Sequence, residues 1–503
     1  MINTNNEILL KHDVTPENLS KVMDQAIALE LATIPTYLAT YYSINRAQDQ
    51  DALYSKLQKQ LTGAATGMTP TEINTLAQEL KLDILTYSNK TAALVMSVVI
   101  EEMLHMALAS NVKTAVCQEY PDLMSVGESF SFPTELKGHE PEFIIDGAKL
   151  SLDQLTTFLK IESPEPFKNP IERLQLDGEV DYQTIGRLYE KIELCILENF
   201  PGPYVQRPQL LPPEEGNSQK RPFYNQNSMN TMYFDREHNP HFVSEEDSGE
   251  LVGVYDACTA VEAVHEIIEQ GEGQSREQQH LLVWDDEGKP VPLNVTDGKA
   301  QFWPGDYDDD GKELSHFAKF LEAYSLGKHY KEKFAGYEGL DDFYSYFVYD
   351  QLKNVTQADY DNSGNEALAL ANKLGSALFQ YLLLMVETCY YKDESTQYDL
   401  FMYGIHKSMI WLLSGVGNKM NVYSFEKDGK TYQGALSWEG YKFSEESSPK
   451  TQILELVTAL AEVDKKNWGW VLDSDNNKYY QDLPDVGLDH SVAKDVPSIP
   501  ATH

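Results

Sequence analysis

The sequence predicts a mainly α protein: a helical bundle elaborated by long loops, a small β-hairpin and additional C-terminal helices. Apolar residues recur at helical spacing through most of the 503-residue chain. Strand-like patterning is limited to one short strand and one stretch near residues 280–304. Acids and histidines stand inside apolar helical segments, as in "VVIEEMLHMALASN", residues 98–111. Burying Glu101, Glu102 and His105 in such a run is costly unless they are paired or bound to metal.

Taken in order, residues 15–45 read as a helix, with Thr15 as N-cap and Pro16 at the first helical position. Pro35 is expected to kink it. Residues 51–86 hold shorter helical pieces, and 90–117 form a long apolar helix. A loop, a short strand and a short helix follow through "FPTELKGHEPEFIIDGAKLSLDQLTTFLKIESPEPF". Residues 181–199 form a helix. The stretch 200–248, rich in Pro, Asn, Gln and Glu, reads as a long excursion, and residues 201–250 are expected to cover the mouth of the bundle as a lid. Residues 251–270 form another helix, stopped by "GEG". "HLLVWDDEGKPVPLNV" reads as a hairpin. Helical patterns return at 313–326, 366–390, 398–415 and 450–465. A chain of this length exceeds one ordinary core. The pattern divides it into a metal-binding bundle with inserted loops at 15–330, a C-terminal helical section packed on it at 331–484, and an irregular tail at 485–503.

The formal charge is −39, from 40 Lys+Arg against 79 Asp+Glu. So acidic a surface repels phosphate backbones and anionic lipid, which makes nucleic acid and membrane surfaces poor partners. No run of 18 apolar residues appears, so no transmembrane helix is expected. The N-terminus lacks a basic segment followed by an apolar one. Cys117, Cys195, Cys258 and Cys389 form no CxxC pair and read as reduced thiols. A cytoplasmic location is expected. "DYDDDGKELSHF" starts like a calcium loop with Asp306, Asp308, Asp310 and Gly311, but Phe317 stands where the twelfth-position Glu belongs.

Four helices carry an acid near the middle or end. Glu30 shares a face with Ile27, Ile34, Tyr37 and Tyr41. Glu102 and His105 are three apart, among Val98, Val99, Met106 and Ala109. Glu190 follows Tyr189. Glu262 and His265 are again three apart, followed by Glu269. One helix giving Glu and its partner giving Glu-x-x-His, repeated, is the pattern of a carboxylate-bridged dimetal site. Carboxylates offset the charge of two divalent ions, and histidines add neutral nitrogens suited to iron or manganese. Glu30 to Glu102 spans 72 residues, as does Glu190 to Glu262. A plainer reading stands beside this one. Glu262 lies off the stripe Ala257, Val261, Val264 and Ile268 and fits a solvated face. Glu101 lies four residues before His105 and could simply pair with it. Glu-x-x-His also recurs at Glu313 and His316.

The pieces "ALELATIPTYLATYYSI", "VVIEEMLHMALASN", "FPTELKGH", "LTTFLKIESPE", "IGRLYEKI", "IIEQGEG" and "LSHFAKFLEA" occur in one order. In them the chain resembles the ferritin-like domain of the iminophenyl-pyruvate dimer synthases, the group of the violacein and rebeccamycin pathways. The resemblance covers about residues 20–325. It implies a ferritin-like helical bundle and matches Glu30, Glu102, His105 and Glu190 to metal-binding positions. It also makes Glu269 and His316 rivals to Glu262 and His265 in completing the site. The implied cofactor is two divalent transition-metal ions, iron first, with manganese or zinc as alternatives.

The implied activity is that of a non-haem dimetal oxidoreductase or synthase of specialised metabolism. Its substrate would be a small aromatic or amino-acid-derived, imine-like molecule. No GxGxxG flavin fingerprint follows a strand, so an imine would come from a partner oxidase. A homo-oligomer is the other expected assembly. The reading from a different class is a non-catalytic metal-binding or structural partner protein, distinguished by a closed site.

Overall fold

A computed structural model describes residues 14–64, 67–136, 139, 143–164, 184–211, 251–271, 284–285, 287–301, 314–473 and 477–493. It is mainly helical, and its strands form three two-stranded antiparallel hairpins among the described residues. The central helices are α1 (Leu19–Tyr42), α2 (Gln50–Gly63) and α3 (Pro70–Val112). Next come α4 (Leu123–Ser129), α5 (Leu152–Ile161), α6 (Ile185–Asn199), α7 (Ala257–Gly271) and α8 (His316–Ala335). Helix α1 packs on α3, α3 on α7, α7 on α6 and α6 back on α1, which closes a four-helix bundle. Helix α8 lies against α3 and α5.

Helix α1 starts at Leu19, later than Thr15. The Asn18 side chain accepts from the Thr15 N–H at 2.8 Å, and the Thr15 carbonyl accepts from Leu19 N. Thr15 thus closes a turn before the helix. Pro35 lies inside α1 and does not end it.

Helix α3 corrects the expected division into short pieces. It runs 43 residues, because Thr69 and Glu72 form a capping box, Pro70 takes the first position, and neither Gly nor Pro follows before its end. It closes through a wide turn at Lys113–Cys117, and Gln118 adopts the left-handed conformation with φ 60°.

Residues Pro70–Cys117 and Glu366–Cys389 are each long and apolar enough to cross a membrane, by length and composition alone. In this structure 94% and 83% of their apolar windows are buried against the rest of the protein, as core helices are.

The hairpin of Asn294–Thr296 with Lys299–Gln301 lies within the expected stretch. Asp297 and Gly298 turn it, both at positive φ, which a tight hairpin turn requires. Asp428 and Gly429 do the same for the Ser424–Lys427 and Lys430–Gln433 pair, which the sequence reading did not anticipate.

Beyond α8 come α9 (Gln357–Asp361), α10 (Glu366–Cys389) and α11 (Glu394–Asp399). A wide-turned segment, Leu400–Leu413, leads into α12 (Ser414–Met420), and α13 (Pro449–Val463) follows. Helix α10 packs on that segment, on α13 and on α4. The Tyr390 hydroxyl donates to the Ala107 carbonyl at 3.1 Å, tying α10 to the core of α3. Most of the expected lid, 212–250, and Asp306 to Glu313 of the calcium-like loop lie outside the described residues.

Candidate metal centre

Helix α3 is buried on all sides around its middle, from Thr91 to Val99 and from Glu101 to Val116. Nothing there separates a core face from a solvent face, so Glu101, Glu102 and His105 all point into protein. They are 6%, 2% and 2% exposed. Helix α1 brings Glu30 against them, and the Thr33 hydroxyl donates to Glu102 Oε2 at 2.8 Å.

Two further groups enter from element ends. Glu162 is the C-cap of α5, 3% exposed, and accepts a short hydrogen bond from the Tyr37 hydroxyl. Tyr37 is wedged edge-on against Phe158, with ring centroids 4.6 Å apart. Trp284 Nε1 donates to the Ser163 hydroxyl at 3.1 Å, which pins the chain just past Glu162. His316 is the first residue of α8 and is fully buried. Its ring stacks on His105 with centroids 5.0 Å apart.

Both imidazoles are held by one nitrogen and leave the other facing the carboxylates. His105 Nε2 lies 3.0 Å from Gln270 Oε1. Gln270 Nε2 donates to Glu266 Oε1, which fixes the amide with its oxygen toward the histidine, so His105 Nε2 is a donor. His105 Nδ1 then faces Glu30 Oε2 at 3.6 Å. His316 Nε2 lies 2.7 Å from Glu101 Oε2. His316 Nδ1 lies 2.9 Å from Glu102 Oε1 and 3.5 Å from Glu162 Oε2. These contacts are close enough for ion pairs, yet Nδ1 makes no aligned hydrogen bond.

Burial alone would raise the Glu30 carboxyl, but hydrogen bonding and charge from His105, with hydrogen bonds from Glu102 and Tyr189, hold it below its usual value. Burial and the neighbouring Glu162 charge push Glu102 well up. Burial opposes charge on His316, but Glu101, Glu102 and Glu162 outweigh it and raise the imidazole well above 6.5. Burial, then the Glu162 and Glu102 charges, lift Tyr37 well above 10, so its hydroxyl keeps its proton.

A buried nitrogen without an aligned partner, facing two carboxylates, with a second histidine stacked beside it, is the donor chemistry of a transition-metal site. Ligand atoms of Glu102, His105 and His316 all lie within 4.8 Å of one another. The residues present fit a metal. Glu30, Glu102, Glu162, His105 and His316 would hold it. A small cavity of about 10 Å³ adjoins them, walled by Ile185, Gly186 and Tyr189 of α6 and by Ile267 and Gly271 of α7.

The structure therefore brings together Glu30, Glu102, His105 and His316 and leaves the other expected residues outside. Glu190 is exposed and pairs with Arg187 at 2.8 Å, because the buried stripe of α6 is Ile185, Leu188, Tyr189, Ile192 and Ile196. One position earlier, Tyr189 takes the inward place and donates to Glu30 Oε1 at 2.6 Å. Glu262 and His265 lie on the solvent side of α7, where His265 meets Glu193 at 3.1 Å. Ala257, Ala260, Val264 and Ile267 make its buried stripe. Glu269 is exposed as well, and its neighbour Gln270 reaches the site in its place. Glu101 binds His316, not His105.

Glu162 was missed. The signal was present, since it extends the buried face Leu155, Phe158 and Leu159 at helical spacing.

Residues 23–325, more than half of the chain, match the ferritin-like family. The chain belongs to that family. Among solved structures it is similar to a ferritin-like protein from Caulobacter vibrioides, at 17% identity and a TM-score of 0.35, covering 75% of this chain and 88% of that one. No curated protein matches it.

Proposed function

We propose that the chain is a non-haem dimetal oxidoreductase or synthase, similar to the iminophenyl-pyruvate dimer synthases. The observation that carries this reading is the convergence of two imidazole Nδ1 atoms and three carboxylates in one buried place. The proposed occupants are two divalent transition-metal ions, iron first. When bound they would supply Lewis-acid and redox chemistry.

The chain's own residues do the rest. Tyr189 and Thr33 donate to Glu30 and Glu102 and orient those carboxylates. Tyr37 does the same for Glu162 with a hydroxyl that stays protonated. Ile185 and Ile267 give the cavity an apolar wall. The proposed substrate is a small aromatic or amino-acid-derived imine, generated by a separate oxidase in the same cytoplasm. One observation favours a second reading, that of a closed, non-catalytic metal site: the adjoining cavity of about 10 Å³ has room for a water and not for a substrate.

Metal analysis of the purified protein, followed by incubation with an aromatic imine made in situ by an added amino-acid oxidase, tests both readings. Bound iron with a coupled product supports the enzyme. Bound metal with no turnover, whatever imine is offered, supports the closed site. Protein without iron, manganese or zinc overturns both.

A further inference from the structure

Glu101 and Glu102 are consecutive on α3, yet they meet opposite nitrogens of one ring, Glu101 at Nε2 and Glu102 beside Nδ1. Glu101 is itself gripped. Lys319 Nζ donates to both of its oxygens at 2.8 Å, and Lys319 is 2% exposed. His316 and Lys319 are three apart on α8, so the ring and the ammonium that braces its partner leave the same helical face. His105 is held differently, by the neutral amide oxygen of Gln270.

We propose that Glu101 and Lys319 form a positioning pair, fixing His316 with Nδ1 toward Glu102 and Glu162 and making it the tighter-binding of the two histidines. The inference rests on the metal reading above. A carboxylate accepting the Nε2–H fixes the tautomer and the ring plane and raises the basicity of the opposite nitrogen. A neutral amide fixes the tautomer with less effect on basicity. Lys319 gives both Glu101 oxygens a second partner, so the carboxylate stays where the imidazole needs it. Neither residue has to touch the metal.

Co(II) titration of the full-length protein tests this, because its visible absorption reports ligand geometry. The variant is Glu101→Gln with Lys319→Met. It removes both charges together, so neither is left buried without the other, and the fold is expected to persist. Loss of the carboxylate behind a metal-bound histidine typically weakens binding about 10–100-fold. That loss is expected here, with an altered visible spectrum and a metal-free circular dichroism spectrum like that of the wild type. Gln270→Ala, which removes the amide behind His105, is expected to weaken Co(II) less. Should the double variant not fold, Glu101→Gln alone, which keeps an amide oxygen for His316 and Lys319, is titrated with the same expectation.

A folded variant that binds Co(II) with wild-type affinity and spectrum would overturn the positioning role while leaving the metal site standing. So would a larger loss from Gln270→Ala than from the pair. Wild-type protein that binds neither Co(II) nor iron would overturn the metal reading and this inference with it.

Discussion

Two helices of this protein carry the same Glu-x-x-His spacing and put it to opposite use. On α3, Glu102 and His105 are each 2% exposed at the centre of the bundle. On α7, Glu262 is exposed, and the His265 side chain, 55% exposed, pairs with Glu193 at the surface. Three-residue spacing puts two side chains on one helical face, but it does not say which face. Around the middle of α3 every face is buried. On α7 a single apolar stripe turns the pair outward. The half of the site that α6 and α7 might have supplied comes instead from the end of α5 and the start of α8.

The largest effect that would sharpen this contrast is expected from His316→Ala in metal-free protein. It leaves the buried Glu102 and Glu162 facing each other without their cation, and breaking a buried ion pair costs about 3–5 kcal/mol. Urea unfolding measures it, and a loss within error of zero would show that the cluster is not the electrostatic unit described. Metal removal comes next. A chelator should lower stability by RT ln(1 + [L]/Kd), about 4 kcal/mol for metal at a thousandfold excess over Kd. The chelator effect should vanish in His105→Ala and persist in His265→Ala.

The pH dependence is third. His316 is raised in the folded, metal-free protein, so its stabilising contribution is complete below the unfolded value of 6.5 and is lost as pH rises through the folded value. Thermal midpoints of metal-free protein should therefore fall above pH 6.5, and His316→Asn should lack this slope. Glu30 is lowered and works in the opposite sense, with its contribution lost as pH falls below the unfolded value of 4.5. The smallest effects belong to the α7 pair. His265→Ala and Glu262→Gln should leave metal content unchanged and shift stability by no more than about 0.5 kcal/mol. A clear loss of metal in either variant would break the comparison.

The α3 half of the site was legible in the sequence because it is local. Glu102 and His105 sit in a run too apolar to face water, and Glu30 lies on an apolar face of its own helix. The equal 72-residue intervals misled, since Glu190 and Glu262 are both solvent-facing. One residue separates Glu190 from the inward Tyr189, about 100° of helix rotation, and the neighbouring stripe decides which of the two turns in. Glu162 escaped because it has no histidine three residues away and stands at the C-cap of a short helix, in "KIESPE". His316 stood in a further Glu-x-x-His match with Glu313, and the resemblance alone raised it to a site candidate. Nothing near it in the chain shows that Glu101 and Glu102, two of its partners, lie more than 200 residues earlier.

That separation bears on how the protein is made. Glu101 meets His316 and Lys319 across 215 and 218 residues, and Lys90 meets Glu322 across 232. Until α8 has been synthesised and has docked, α3 holds acids and a lysine in its apolar centre with their counter-charges absent. Contacts of such high separation form late, because the closure entropy of the intervening chain must be met first. The bundle core cannot complete itself as an early, independent unit. The docking of α8 is then the step that commits the chain to its native state, and a chain stalled before residue 316 should remain open to proteases along α3.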